Sequence, residues 1–276
     1  MTSWGPGTLS ALRRAAAARL WRLPFLAAHR AAWFLWRRAA GPRRFTLGGE
    51  AFRYLVHPFI LDNERAVEIP LALAAYRESE RRLAEPRVLE VGNVLRAYCD
   101  LGQTVVDRYE VEPGVINLDL LDFHLGETRD PGGSRDAEAE GFDLALSIST
   151  VEHIGHDERP REPEKALRAL WHLKRLVAPG GLLLVTFPAG YHPGLDRALE
   201  EGRLEAEFDV RCLQRVDRLN RWRECTPEET LARSYGSPFS CANGLVVLRY
   251  RRPVEDSAPA ATSWSGRKAE RNSVGG

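Results

Sequence analysis

The sequence predicts an α/β protein with a doubly wound, mostly parallel sheet. Three observations predict it. Short, near-continuous apolar runs recur at "RVLEVG" (87–92), "FDLALSI" (142–148) and "GLLLVTFP" (181–188), the pattern of strands buried on both faces by flanking helices. An amphipathic stretch, "EPEKALRALWHLKRLVAPGG", separates the second run from the third. The remaining strand candidates fall in the same 165-residue stretch and alternate with amphipathic segments, as a parallel sheet requires.

Those candidates are "QTVVD" (103–107), "GVINLD" (114–119), "FDVRCLQRV" (208–216) and "GLVVLRYR" (244–251). In the amphipathic stretch Leu167, Leu170, Leu173 and Val177 recur at helical spacing. Lys174 and Arg175 enrich its last turn, and Pro179, Gly180 and Gly181 stop it. No helical pattern joins the last two strand candidates, only a loop-like stretch with one short helix, so those strands can pair antiparallel.

The chain of 276 residues is 44% hydrophobic and 28% charged, which suits one globular domain with attached segments. Residues 1–45 form an arm rich in Arg, Ala and Trp. Residues 46–252 form the domain, with its core motifs in 87–251. Residues 253–276 are rich in Ser, Ala, Gly and Pro and are expected to be disordered. Net charge is +1, so the whole chain does not point to a polyanion. The charge is uneven, though. No acid precedes Glu50, whereas Arg13, Arg14, Arg19, Arg22, Arg30, Arg37, Arg38, Arg43 and Arg44 all do.

Leu9, Leu12, Ala16, Leu20 and Leu23 fall on one helical face of this arm, and Trp4, Trp21, Trp33 and Trp36 add interfacial anchors. A helical arm of this kind suits the surface of an anionic membrane. It can instead pack on the domain or on a second subunit. No nucleic-acid recognition motif accompanies the arginines, so no nucleic-acid partner is expected. His29 and Arg30 interrupt "LPFLAAHRAAWFLW", which argues against a membrane span and a secretory signal. Cys99, Cys212, Cys225 and Cys241 form no metal-ligand spacing. They read as free thiols of a cytoplasmic protein, peripheral to the membrane if the arm binds there.

Ligands of open α/β sheets bind beyond the carboxyl ends of the strands. Glu90, Gly92 and Asn93 end the first strand, where glycine permits close backbone approach and the start of a helix of about two turns offers free N–H groups. Asp107 and Glu110 follow the second strand, where an acid can accept bonds from a ribose diol. Asp119 and Asp122 follow the third. Ser147 and Ile148 end the fourth, followed by Glu152, His153, His156 and Asp157. A histidine with acidic neighbours there is a plausible proton acceptor. Tyr191 and His192 follow the fifth, on a loop that can line the mouth of a pocket.

In this order the motifs resemble those of the class I S-adenosylmethionine-dependent methyltransferases, over about three-fifths of the chain. "VLEVGN" is similar to the start of the family's first motif, "VINLDLLDF" to its acidic third-strand motif, "FDLALSISTVEHI" to its fourth-strand motif and "LKRLVAPGGLLLVTFP" to its Pro-Gly-Gly fifth-strand motif. The resemblance implies a Rossmann-like, seven-stranded sheet with its last strand antiparallel, and S-adenosyl-L-methionine as cofactor. It implies that Glu90, Gly92 and Asn93 hold the methionine end, Asp107 or Glu110 the ribose, and Asp119 with Leu120 the adenine. Ser147 and Ile148 would border the methyl group. Two of the three glycines usual in the family's loop are replaced, by Val94 and Arg96.

The expected activity is methyl transfer to a small-molecule or glycan-type acceptor, as O-methylation, with His153, His156 and His192 as candidate bases. The alternative is a methyltransferase-like fold without catalysis, serving as a binding or partner subunit. A nicotinamide-dependent oxidoreductase fits less well, because the Gly-x-Gly-x-x-Gly fingerprint is absent.

Overall fold

The computed structural model describes residues 44–56, 63–125 and 141–254, together with Leu35. The expectations for the rest of the arm before residue 44, and for the tail from 255 onward, lie outside the described residues.

The domain begins with a hairpin of β1 (Arg44–Leu47) and β2 (Glu50–Arg53). Gly48 and Gly49 turn it with φ of 60° and 81°, the two positive values that a two-residue turn matched to strand twist requires. The boundary drawn at residue 45 therefore cuts through a strand. Helix α1 (Arg65–Glu80) follows and carries Pro70 in its second turn. A proline there cannot donate to the carbonyl four residues back. That carbonyl, of Ala66, instead accepts the Leu55 N–H at 3.0 Å, and so the missing helical bond ties the end of the hairpin to the helix.

The main sheet contains β3 (Val88–Val91), β4 (Thr104–Val106), β5 (Val115–Ile116), β6 (Phe142–Ile148), β7 (Val177–Pro188), β8 (Asp209–Arg215), β9 (Trp222–Cys225) and β10 (Gly244–Arg251). Their order is β5-β4-β3-β6-β7-β10-β8-β9. The first five pair in parallel, and β10 runs antiparallel to both β7 and β8. The sheet is thus the doubly wound, Rossmann-like form expected, with its last strand antiparallel. It has eight strands rather than seven, because Trp222–Cys225 turns back as a hairpin partner of β8.

Helix α1 and the β1–β2 hairpin cover one face of the sheet. Helices α2 (Lys165–Leu176) and α3 (Pro193–Glu200) cover the other, and α4 (Pro227–Leu231) completes the set. Leu167, Leu170 and Leu173 are buried on α2 as the periodicity expects, whereas Val177 is already the first residue of β7. It stops the helix with ψ of 135°. No helix follows β3. A single turn closes at Leu95, whose carbonyl accepts from Tyr98 and Cys99, in place of the two turns expected.

Candidate functional site

Strand order reverses between β3 and β6, and the crevice beyond their carboxyl ends is where an open α/β sheet binds its ligand. A cavity of about 440 Å³ opens there, within the roughly 300–1,000 Å³ of small-molecule sites. Gly92, Asn93, Asp107, Glu110, Asp119, Leu120 and His153 line it. Seven candidates scattered over 62 positions of the sequence therefore meet at one wall. Glu90, Ser147, Ile148, His156 and His192 are not part of that wall.

Glu90 lies beneath the loop, fully buried. Its carboxylate accepts from the backbone N–H groups of Val94 at 2.7 Å, Leu95, and Arg96 at 3.2 Å, and from Gln103 Nε2 at 3.0 Å. Burial raises its pKa, and these four donors oppose the rise. The chain thus supplies its own acid to N–H groups that a longer helix would have presented outward. Three of those donors belong to Val94, Leu95 and Arg96, so the loop that lacks the usual glycines is held by the strand before it.

Gly92 has φ of 82°, and a β-carbon on it would stand 2.8 Å from Cγ2 and 2.9 Å from Cβ of Thr150. The loop is pressed against the end of β6. Asn93 donates to Glu110 at 2.9 Å, while its Oδ1 is buried without a partner. Asp107 accepts from the N–H groups of Tyr109 and Glu110, each at 2.7 Å, which turns the chain after β4. Asp119 accepts from Arg108 at 2.8 Å and Lys165 at 2.5 Å, and Glu158 pairs with the same two cations. Burial alone would raise the Asp119 pKa, but the bond from Lys165 and the neighbouring cations hold it below the usual range.

His153 Nδ1 lies 2.6 Å from Asp157 Oδ2, and Tyr191 donates to the same carboxylate at 2.8 Å. A carboxylate only accepts, so Nδ1 is the nitrogen that donates to Asp157, and Nε2 is the basic nitrogen of the neutral ring in this tautomer. Burial works against ionised Asp157, yet the bonds from His153 and Tyr191 lower its pKa overall. The Tyr191 hydroxyl is pushed up by burial and by Asp157. His192 serves a different purpose. It is buried, and its Nδ1 caps α3 by accepting from Gly194 at 3.0 Å and Leu195 at 3.2 Å. Burial, then His156, lowers its pKa. His156 packs against both His192 and Tyr191.

Sequence reading missed a second polar cluster under the ends of β6 and β7. Glu68 on α1 is fully buried and accepts from Ser149 at 2.6 Å, Thr186 at 2.7 Å and Arg65. Ser149 directly follows β6 with φ of 38°, an uncommon value for a residue with a side chain and one that functional sites often hold. A signal was available for Glu68, since it falls in line with Ala72, Ala75 and Ser79, the buried stripe of α1. Nothing local marks its partners, 81 and 118 residues away.

Beside this cluster Glu152 is buried, with Oε2 unpartnered and Oε1 3.8 Å from His153 Nε2. Burial raises its pKa well above the ordinary range, and Glu68 and Glu64 add to the rise. The folded protein therefore holds this proton at pH values where the unfolded chain, near pKa ~4.3, has released it. Its contribution to stability is complete in acid and is lost as pH rises through the folded value. Glu152→Gln should accordingly be more stable than wild type in mildly alkaline buffer, with little difference in acid. Urea unfolding of both proteins across that range measures this, and parallel pH profiles would refute it.

Among the described residues no group of three or more His, Cys, Asp or Glu is placed to hold a metal, and no helix is long and apolar enough to cross a membrane. No family model matches the sequence, and no curated protein matches it. Solved structures with some likeness include the N-methyltransferase NodS from Bradyrhizobium japonicum WM9 with S-adenosyl-L-homocysteine, 14% identical over 66% of this chain and 86% of that one, at a TM-score of 0.37. The sugar N-methyltransferase KedS8 from Streptoalloteichus sp ATCC 53650 is 14% identical over 66% and 86%, at 0.32. The plantazolicin methyltransferase BpumL with S-adenosyl-L-homocysteine is 10% identical over 66% and 81%, at 0.36.

Proposed function

We propose that the protein transfers a methyl group from S-adenosyl-L-methionine to a small-molecule or glycan-type acceptor, at a hydroxyl oxygen. The observation that carries this reading is the single cavity wall shared by Gly92, Asn93, Asp107, Glu110, Asp119, Leu120 and His153. The wall fits the cofactor's parts. Asp107 and Glu110 offer carboxylates to a ribose diol, Leu120 and Val106 an apolar surface to a purine, and the unpartnered Asn93 Oδ1 an acceptor for an ammonium group. Asp119 would meet the adenine edge with its carboxylate fixed by Arg108 and Lys165. Glu90 would act through the loop it holds, and Ser147 and Ile148 would border the methyl group from β6.

The bound cofactor supplies a methyl group on sulfur that is already cationic, so the leaving group needs little help. The chain's task is then to align the acceptor, exclude water and remove one proton. His153 takes that proton on Nε2, with Asp157 fixing the ring and stabilising the charge that forms. His156 and His192 stand behind it. The arm, residues 1–45, would bring this cytoplasmic protein to an anionic membrane surface, a reading supported by its Arg and Trp content.

Calorimetric titration with S-adenosyl-L-methionine and its demethylated product tests the reading. One second outcome has an observation in its favour. The N–H groups of Val94, Leu95 and Arg96 are already taken by Glu90 instead of facing a ligand, which favours a fold that serves only as a partner subunit. No heat at millimolar ligand would favour that alternative. If binding is seen, His153→Ala should lower turnover about 100-fold or more while leaving cofactor affinity nearly unchanged. Unchanged turnover would remove His153 from the mechanism.

A further inference from the structure

A second cavity, of about 910 Å³, lies on the α1 face of the sheet, and among the described residues its wall shares none with the first. It is enclosed by the β1–β2 hairpin, α1, and residues of β7, β8 and β10. Its floor is apolar, built from Leu47, Phe52, Leu71, Leu73, Leu184 and Val247. Its polar residues are of a different kind. Among the described residues of the wall, six arginines stand against three acids, a net charge of +3.

Two of those arginines are committed. Arg249 bonds Glu78 at 2.7 Å, and Arg211 bonds Asp209 at 3.1 Å. The other four, Arg44, Arg53, Arg77 and Arg81, are exposed and form no ion pair among the described residues. Arg77 and Arg81 are one turn apart on α1, in line with Leu73 and Pro70, so cationic and apolar groups share one side of the helix. An exposed arginine costs little by itself. Four of them at the mouth of a cavity whose base is lined by leucine, valine and phenylalanine describe a ligand with a hydrocarbon part and an anionic head. A soluble nucleotide or sugar phosphate would leave the leucines unused, and a neutral hydrocarbon would leave the guanidinium groups unused.

We propose that this cavity binds one anionic lipid, with its acyl chain on the leucine floor and its phosphate among Arg44, Arg53, Arg77 and Arg81. The occupant is argued from charge complementarity and from continuity with the arm. Arg44, at the cavity, directly follows the stretch that carries Trp33, Trp36, Arg37, Arg38 and Arg43. A chain brought to an anionic bilayer by such an arm has its lipid source at hand. The inference does not depend on methyl transfer, since the two cavities share none of the described residues.

The test is titration of the full chain with dodecyl phosphate, with inorganic phosphate and with dodecyl maltoside, read by calorimetry. Dodecyl phosphate is expected to bind at least tenfold more tightly than either of the others. In the double variant Arg77→Gln/Arg81→Gln its affinity should fall about tenfold or more, with the unfolding midpoint unchanged because both side chains are exposed. Equal binding of inorganic phosphate would overturn the lipid in favour of free phosphate. Equal binding of the maltoside, or the same affinity in the double variant, would overturn the role of the arginines. No binding of dodecyl phosphate to the full chain would overturn the proposal outright.

Discussion

Gly92→Ala is expected to destabilise the fold by about 3 kcal/mol. Two costs combine. A residue with a β-carbon at φ of 82° carries a penalty of ~1–2 kcal/mol. Forcing that carbon against the Thr150 side chain adds ~1–3 kcal/mol, as overpacking does elsewhere. Thr150 has little room to give, since its hydroxyl is bonded to the Ile148 carbonyl at 3.1 Å and the following residue, Val151, is buried. The double variant Gly92→Ala/Thr150→Gly separates the costs. Removing the threonine side chain should recover the steric part and leave the backbone part. Urea unfolding reads both. A loss below ~1 kcal/mol in the single variant would mean that Thr150 is not seated on the loop. Since Gly92 and Thr150 both line the smaller cavity, the same change should also weaken ligand binding there.

That contact explains how one glycine can serve where the resemblance leads one to expect three. The loop after β3 is shaped from below by Glu90, which takes three consecutive N–H groups, and from the side by Thr150. Val94 and Arg96 need no positive φ in this arrangement, and Gly92 alone of residues 91–98 adopts one. The short spacing between Glu90 and Asp107 carried a hint of this, since it left room for little helix. What it could not show was that the strand's own glutamate would replace the helix start.

The strands were legible where burial on both faces makes the apolar run continuous. Phe142–Ile148 and Gly244–Arg251 fall where the sequence places them. Strands that are short or half-exposed were not. In Trp222–Cys225 only the tryptophan is fully buried, and four residues give too little alternation to read. The β1–β2 hairpin did carry a signal, Phe45 and Leu47 alternating ahead of Gly48-Gly49, but the arginine-rich composition around it led the domain boundary through the strand. In the site, His153 and Asp157 lie four residues apart, and their pairing follows from local sequence. Glu68, Ser149 and Thr186 come from three distant segments. Their meeting depends on α1 crossing the ends of β6 and β7, which no local pattern encodes.

Glu68→Ala should cost about 3–5 kcal/mol, the usual penalty for removing one member of a buried ion pair. The substitution strips Arg65 of a partner and leaves the Ser149 and Thr186 hydroxyls without their acceptor in a region closed to water. Glu68→Gln keeps the shape and one carbonyl oxygen, so the two hydroxyl bonds can persist while the charge is lost. It should be the milder change. The pair of variants therefore distinguishes two roles for Glu68. If charge compensation of Arg65 dominates, both variants fall together. If the strap between α1 and the strand ends dominates, only alanine is severe. The second outcome is favoured because Arg65 is partly open to solvent and retains Glu64 as a neighbour when Glu68 is gone. Loss of the strap should also release Ser149 from its left-handed backbone, and with it the approach to Thr150 and His153. Glu68→Ala is thus expected to loosen the site at temperatures where the rest of the sheet is still folded. Hydrogen exchange at residues 149–153 is the measurement, and protection there equal to wild type would sink the strap.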